Sequence, residues 1–334
     1  MADRPIIVMT TTMNEAGTRL LREAGEVRMA PPTDRPALLA AVADADALVV
    51  RTAGVYDAEV MDAAPRLKVI GRHGVGYDHV DVAAATARGI LVVTTPGANT
   101  QSVAEHAMAM MIGLSKHFPQ QGRSLREGRF HDRTAHSGRD ILGRTLGIIG
   151  FGRIGKRIGA IAHAAFRMQV LYHDILPMSP EDEAPAGATR ATLDELLARS
   201  EYVTLHVPLD ASTRRLIDRR ALALMRPDAI LINTCRGPVV DEQAVAEALD
   251  AGRLYGYGAD VFDVEPPPED HPLVWRRDNV MLTPHSAAQT GESLVNMARG
   301  VAEDVVRVLR GERPEYPVDD AAVVLAQRRA LGKA

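Results

Sequence analysis

A chain of 334 residues has room for about two domains. Its 46% hydrophobic and 25% charged content is that of an ordinary globular protein, and a formal net charge of -4 leaves no basic footprint, so nucleic acid is not an expected partner. No apolar run approaches a membrane span, the start Met1-Ala2-Asp3-Arg4-Pro5 lacks a leader pattern, and the single cysteine, Cys235, excludes an intrachain disulfide, so the expected setting is a reducing cytoplasm.

Apolar runs and the residues that punctuate them predict strands alternating with helices. Ile6 to Met9 reads as a first strand, and Asn14 caps a helix to about Ala24. Val27 to Met29, Ala47 to Val50 and Leu67 to Ile70 read as strands, with a helix around Pro36 to Ala43. A helix near Val80 to Arg88 and a strand at Ile90 to Val93 close the unit, and Thr94-Thr95-Pro96-Gly97 is a candidate hinge. Ser102 to His117 reads as a long helix whose Met108, Met110 and Met111 are core filler rather than a cofactor box. Gly122 to Gly143 is polar and reads as an arm or interface segment.

Thr145 to Gly155 is the most informative stretch. A short apolar strand runs into Gly150, Gly152 and Gly155, the pattern G-x-G-x-x-G, and then into an amphipathic helix with Ile154, Ile158, Ile161 and Ala162 on one face. In a dinucleotide site the three glycines serve the tight turn, the approach of the pyrophosphate and the packing of helix on strand, and the helix N-terminus faces the phosphates. A second strand, Gln169 to His173, ends in Asp174, at the distance expected of a carboxylate that grips ribose hydroxyls. Ile175-Leu176-Pro177 supplies no arginine for a 2′-phosphate, which points to NAD over NADP.

Met178 to Ala188 reads as a loop rich in proline and acid. Further strands at Tyr202 to His206, Ala229 to Asn233, Leu254 to Ala259 and Val280 to Leu282 each run into polar or irregular residues: Val207-Pro208, Thr234-Cys235-Arg236-Gly237, Asp260 and Thr283-Pro284-His285. Glu242 to Leu249 and Gly291 to Leu309 read as helices, and the alanine-rich charged tail from Asp319 as peripheral or frayed. Alternation of this kind implies parallel sheets, in which ligands gather at the carboxyl ends of strands. Arg51 and the loop Arg72-His73-Gly74-Val75-Gly76 also sit at such ends.

These motifs, together with Gly71 to Asp78, Ser102-Val103-Ala104-Glu105 and Asp260-Val261-Phe262-Asp263-Val264-Glu265-Pro266, resemble those of the D-isomer-specific 2-hydroxyacid dehydrogenases over nearly the whole chain. The resemblance implies two Rossmann-like, doubly wound α/β domains with a cleft between them: a discontinuous substrate domain, 1–98 plus 287–334, and an NAD-binding domain, 99–286. It implies a homodimer. It also implies NAD-dependent interconversion of a small D-2-hydroxy acid and its 2-oxo acid, in which phosphoglycerate, hydroxypyruvate, glyoxylate and sulfolactate remain open as substrates.

By the same resemblance His285 exchanges the hydroxyl proton, Glu265 holds its imidazole, and Arg236 binds the substrate carboxylate and carbonyl. The backbone of Gly74, Val75 and Gly76 completes the carboxylate site, with Arg51 and Arg72 toward a distal anionic group and His73 at the substrate mouth. Cofactor contacts fall to Ser102, Gly150, Gly152, Arg153, Ile154, Gly155, Asp174, Val207, Pro208, Thr234, Cys235, Arg236, Asp260, His285 and Ala288, with Asp260 orienting the nicotinamide amide. Taken singly, His285 reads equally as a packed or capping histidine, Glu265 as a solvated charge, and Arg51 or Arg72 as partners of Asp78 or Asp81.

His73, His106, His117 and His206 lack metal-ligand spacing, so no metal is expected. His73 stands where the family often has a small residue, and Tyr77 is bulkier than its usual aliphatic. No room remains after the substrate domain for the regulatory domain of long phosphoglycerate dehydrogenases, so serine feedback is not expected. An NAD(H)-sensing, corepressor-like binding protein is the alternative. Formate dehydrogenase is disfavoured because it has glutamine where this chain has Glu265.

Overall fold

The structure is a computed structural model and describes residues 4–135, 137–276 and 278–333. The chain forms two compact units, one from the residues up to Asn99 together with those from Gln289 onward, the other Thr100–Ala288. In chain order the first unit contributes β1 (Ile6–Met9), α1 (Glu15–Ala24), β2 (Glu26–Met29), α2 (Arg35–Val42), β3 (Ala47–Val50), α3 (Ala58–Asp62), β4 (Val69–Arg72), α4 (Val82–Ala87) and β5 (Leu91–Val93). The second contributes α5 (Thr100–Ser115), α6 (Phe118–Arg126), β6 (Thr145–Ile149), α7 (Arg153–Phe166), β7 (Gln169–His173), α8 (Pro180–Glu183), β8 (Ala188–Arg190), α9 (Leu193–Arg199), β9 (Tyr202–Leu205), α10 (Arg219–Leu224), β10 (Ile230–Asn233), α11 (Glu242–Asp250), β11 (Gly256–Ala259) and β12 (Val280–Leu282). The chain then returns to the first unit as α12 (Gly291–Leu309) and α13 (Ala321–Ala330).

Both sheets are parallel, with strand orders β2-β1-β3-β4-β5 and β12-β11-β10-β9-β6-β7-β8. Helices cover both faces, which is why the strands read as continuous apolar runs rather than as alternation. Ile6 and Val8 of β1 point into one core with Leu38 and Leu48, whereas Ile7 and Met9 point into another with Val301 and Val305. In the second unit Leu146 and Ile148 pack with Met108, Met110 and Met111 of α5, and Ile149 faces the opposite layer with Leu205 and Leu231.

Two readings from the sequence need correction, and a third gains detail. The tail from Asp319 is not frayed: Asp320 caps α13, Ala321 and Val324 are fully buried, and Arg328 donates to the carbonyls of Leu67 (3.0 Å) and Gly89 (3.3 Å). The stretch from Met178 to Ala188 is not all loop. Ser179 caps the single turn α8, and the chain then enters β8 at the sheet edge. Within Gly122 to Gly143 the chain continues α6 and adds a 3-10 turn, Phe130–Thr134.

Candidate active site

Register in the second sheet sets the site. His173, Ile149, Leu205, Asn233, Ala259 and Leu282 pair across β7, β6, β9, β10, β11 and β12. The next residues, Asp174, Gly150, His206, Thr234, Asp260 and Thr283, therefore leave the sheet side by side along one carboxyl edge. The chain order reverses between β6 and β9, the switch point where open parallel sheets bind ligands.

At the β6 exit Gly150 has φ +90°, and a Cβ there would lie 2.5 Å from the His206 carbonyl oxygen. A Cβ at Gly155 would collide with the Gly150 oxygen, so α7 packs on the turn only without one. Gly152 faces open space and begins α7 with no side-chain cap, which leaves the first N–H groups of a 14-residue helix for a ligand. Arg153 and Ile154 form its first turn. Asp174 accepts from the N–H of Phe151 (2.8 Å) and of Leu176 (3.0 Å), which fixes the carboxylate beside the glycine loop. At the β10 exit the Thr234 hydroxyl is buried with no partner among the described residues. These features fit a dinucleotide. Val207 and Pro208 follow the β9 exit, Ser102 lies buried on the first turn of α5, and Ala288 ends the unit.

Toward the other end of the row, His285 Nδ1 and Glu265 Oε2 are 2.7 Å apart. Glu265 Oε1 accepts from Phe262 N–H at 3.1 Å. Burial by itself would raise the Glu265 carboxyl, but the hydrogen bond and charge of His285, the Phe262 N–H and the Arg236 charge outweigh it and hold the group below the usual carboxylate range. Ionised, Glu265 can only accept, so Nδ1 carries a proton and Nε2 is left as the atom that gains or loses one. Arg236 donates to its own Cys235 carbonyl (2.7 Å), and its carbonyl accepts from Asn233 Nδ2 (2.9 Å), which shapes the turn that presents it. The Cys235 thiol is buried, bonded to Asn233 Oδ1, and pushed up to about 11 by desolvation, so it is a packing group rather than a nucleophile.

His285 itself has φ +52°, a left-handed conformation that costs a residue with a Cβ about 1–2 kcal/mol. Asp260 offsets this. Its Oδ1 accepts from Thr283 Oγ1 (2.5 Å) and Ser286 N–H (2.7 Å), its Oδ2 from Ala287 N–H (2.8 Å), and its carbonyl from His285 N–H (2.7 Å). Each bond to a charged acceptor is worth about 1.5–3 kcal/mol, enough to hold the turn. The carboxylate read from the sequence as the nicotinamide's partner is therefore almost fully buried in the turn that carries His285. His106 on α5 supports the same turn through Thr283 Oγ1, 2.9 Å away.

In the first unit Arg72 lies at the end of β4. It is buried and turned into its own loop, donating to the carbonyls of Gly76 (2.5 Å) and His73, and a Cβ at Gly74 (φ +135°) would overlap its guanidinium. It builds the 73–76 loop rather than facing outward. Arg51 is half-buried with no ion-pair partner among the described residues. His73 is buried, neither ring nitrogen has a partner there, and burial followed by the charges of Arg51 and Arg72 pushes it down to about 4. Val75 is the exposed residue of the loop, and Gly76 is half-buried. Among the described residues no His, Cys, Asp or Glu cluster suits a metal.

Three groups near the site escaped sequence reading. Arg190, at the end of β8 and sixteen residues past Asp174, donates to the Asp174 carbonyl at 3.0 Å, an arginine beyond the place where one was sought. Glu242 and His271 form a buried pair behind Glu265. Asp241-Glu242 carries a helix-start signal, capped by Asp241, but nothing in the sequence marks its partner.

A Rossmann sheet with an open glycine turn, a strand-end carboxylate and a histidine–glutamate pair defines a nucleotide-dependent dehydrogenase class. Residues 108–287 match the family model "D-isomer specific 2-hydroxyacid dehydrogenase, NAD binding domain". The chain is 41% identical over 315 residues to a D-3-phosphoglycerate dehydrogenase of Methanocaldococcus jannaschii, covering 94% of this chain and 59% of that one. It is 38% identical over 327 residues to a glyoxylate reductase of Korarchaeum cryptofilum, covering 96% and 97%. The TT0316 protein of Thermus thermophilus superposes with a TM-score of 0.86 at 37% identity over 94% of this chain and 100% of that one. This chain belongs to the D-isomer specific 2-hydroxyacid dehydrogenase family, with NAD as the cofactor of its second unit. It spans about three fifths of the length of the phosphoglycerate dehydrogenases it matches.

Proposed function

We propose that this protein is an NAD-dependent dehydrogenase that interconverts a small D-2-hydroxy acid and its 2-oxo acid. The 2.7 Å His285–Glu265 pair, on the same sheet edge as the open glycine turn, carries the reading. Bound NAD supplies the hydride acceptor or donor. His285 Nε2 takes the hydroxyl proton in oxidation and returns it in reduction, Glu265 fixes the ring and favours its charged form, and Arg236 holds the substrate carboxylate and polarises C2–O. The corepressor-like alternative draws no support from the dehydrogenase and reductase relatives.

For the substrate we favour an acid with a distal anion. Support comes from Arg51, half-buried with no carboxylate partner among the described residues, beside a neutral His73. Exposed Phe118, Leu125, Phe130 and Leu142 on the segment between α5 and β6 support a homodimer. A lone, buried cysteine and the absence, among the described residues, of a helix long and apolar enough to cross a membrane accord with a cytoplasmic enzyme.

The test is a panel of 2-oxo acids reduced with NADH and ranked by kcat/KM, repeated with Arg51→Ala. An anionic-tailed acid should rank first. Arg51→Ala should raise its KM roughly tenfold or more, the worth of a lost charge-assisted bond, and leave glyoxylate nearly unchanged. Equal effects on both would refute the assignment of Arg51. NADH binding without turnover of any acid would refute the enzyme.

A further inference from the structure

We propose that Glu242 and His271, a buried pair outside the proposed catalytic residues, are positioning residues that hold Glu265 against His285 and join its loop to the one that carries Arg236. The inference rests on the dehydrogenase reading above.

The loop that bears Glu265 is an excursion into solvent. Asp263, Val264, Glu265 and Pro266 are exposed, as are Pro268, Glu269 and Asp270. Such a loop has no core of its own to set the place of its one functional carboxylate. Both of its ends close on Glu242, the first residue of α11. At the near end the Asp263 N–H lies 3.3 Å from each Glu242 oxygen. At the far end His271 Nε2 lies 3.0 Å from Glu242 Oε2. His271 Nδ1 accepts from Leu273 N–H (3.3 Å), so the proton sits on Nε2 and is donated to the carboxylate. The His271 ring also meets Phe262 edge-on, 5.4 Å between centroids at 89°. Glu242 is 8% exposed and His271 is 7%.

The peptide between Phe262 and Asp263 is the junction. Its N–H points to Glu242, and on another side lies Gly237, the residue after Arg236. A Cβ at Gly237 would overlap both the Phe262 carbonyl carbon and Asp263 N, so the two loops touch backbone to backbone. The N–H of Phe262 meanwhile holds Glu265 Oε1. A slip of this peptide would move Glu265 away from His285 and disturb Arg236 at once.

A buried hydrogen-bonded pair kept only for stability can be replaced by hydrocarbon of the same shape nearly without loss. This one addresses a backbone N–H that hydrocarbon cannot satisfy. The charged or titratable groups that face Glu242 are His271, Asp263 and, from β11, the Tyr257 hydroxyl. Those that act on Glu265 are His285 and Arg236.

The experiment uses the full chain as Glu242→Ala, Glu242→Gln and His271→Ala. It reads the pH dependence of 2-oxo acid reduction with NADH and, without substrate, the NMR titration of the His285 ring. Glu242→Ala should lower kcat by about ten- to a hundredfold, the effect of a misplacement on the order of 1 Å, more than it raises KM. It should also move the pH at which reduction is half lost downward, in the direction produced by Glu265→Gln. Glu242→Gln keeps an acceptor for Asp263 N–H and should restore most of both. If Glu242→Ala does not fold, His271→Ala, which leaves the carboxylate in place, should show the same downward move. An unmoved pH profile and an unmoved ring titration, with or without a fall in melting temperature, would overturn the proposal, because the pair would then only stabilise. If the wild type turned over no 2-oxo acid, the dehydrogenase reading would fail, and the His285 titration in the variants would still decide whether Glu242 positions Glu265.

Discussion

Replacing Glu265 by glutamine removes a charge while keeping the length of the side chain and one carbonyl acceptor. His285 Nδ1 can still donate, so the tautomer and ring orientation survive and the loss is electrostatic. The bond is 2.7 Å, and both side chains are 35% exposed. A hydrogen bond to a charged group is worth about 1.5–3 kcal/mol, and a third exposure to solvent discounts it to roughly half. Support on the order of 1 kcal/mol is therefore what the charged imidazole should lose. Reduction needs a protonated imidazole and falls as pH rises, whereas oxidation needs the neutral ring and rises over the same interval. The glutamine variant should therefore lose reduction, and gain oxidation, at a lower pH than the wild type. The assay is kcat/KM in both directions from about pH 5 to 10, with circular dichroism to confirm an intact fold. Profiles that superimpose, or that move upward, would mean that Glu265 does not act on His285 through its charge, and the pair would have to be abandoned as catalytic partners.

Cofactor choice should favour NADH over NADPH, because Asp174 repels a 2′-phosphate. Asp174→Ala should narrow the preference by roughly tenfold, and adding Arg190→Ala should widen it again by removing the cation beside that position. A wild type faster with NADPH at equal concentration would sink this reading of Asp174. Stability should depend on His73 at mildly acid pH. Its folded value is pushed down to about 4 while an exposed imidazole titrates near 6.5, so the unfolded chain binds the extra proton first. The stability is complete above pH 6.5 and is lost as pH falls toward 4, by up to about 3 kcal/mol. Urea midpoints from about pH 7 to pH 4.5 should fall less steeply in His73→Gln, with the residual slope belonging to buried His206, which is pushed down to about 3 in the same direction. Identical slopes would show that His73 is not held neutral.

Local chemistry determined much of this protein. Apolar runs such as Ala47–Val50 and Ile230–Asn233 can only be strands buried on both faces, and Asn14 or Asp241 can start a helix without help from distant residues. The glycine turn and the carboxylate at Asp174 were legible because both depend on spacing along one strand–helix–strand unit. What the tertiary structure decided depends on partners far away in sequence. The alanine-rich tail reads as frayed until Arg328 meets the carbonyls of Leu67 and Gly89. That the Arg72 guanidinium turns into the carbonyls of its own loop is not legible either, because a side chain's direction is not encoded in its position. That Asp260 also braces the turn of His285 is invisible until the register of β11 and β12 brings Thr283, Ser286 and Ala287 onto its oxygens. Arg190 approaches Asp174 only because β8 pairs beside β7, and Glu242 meets His271 only because a loop of exposed residues returns to its own base. Strand ends and turns follow from the chain's neighbours, whereas the partner of a buried polar group is whatever the fold brings to it, since it cannot stay unpaired away from water.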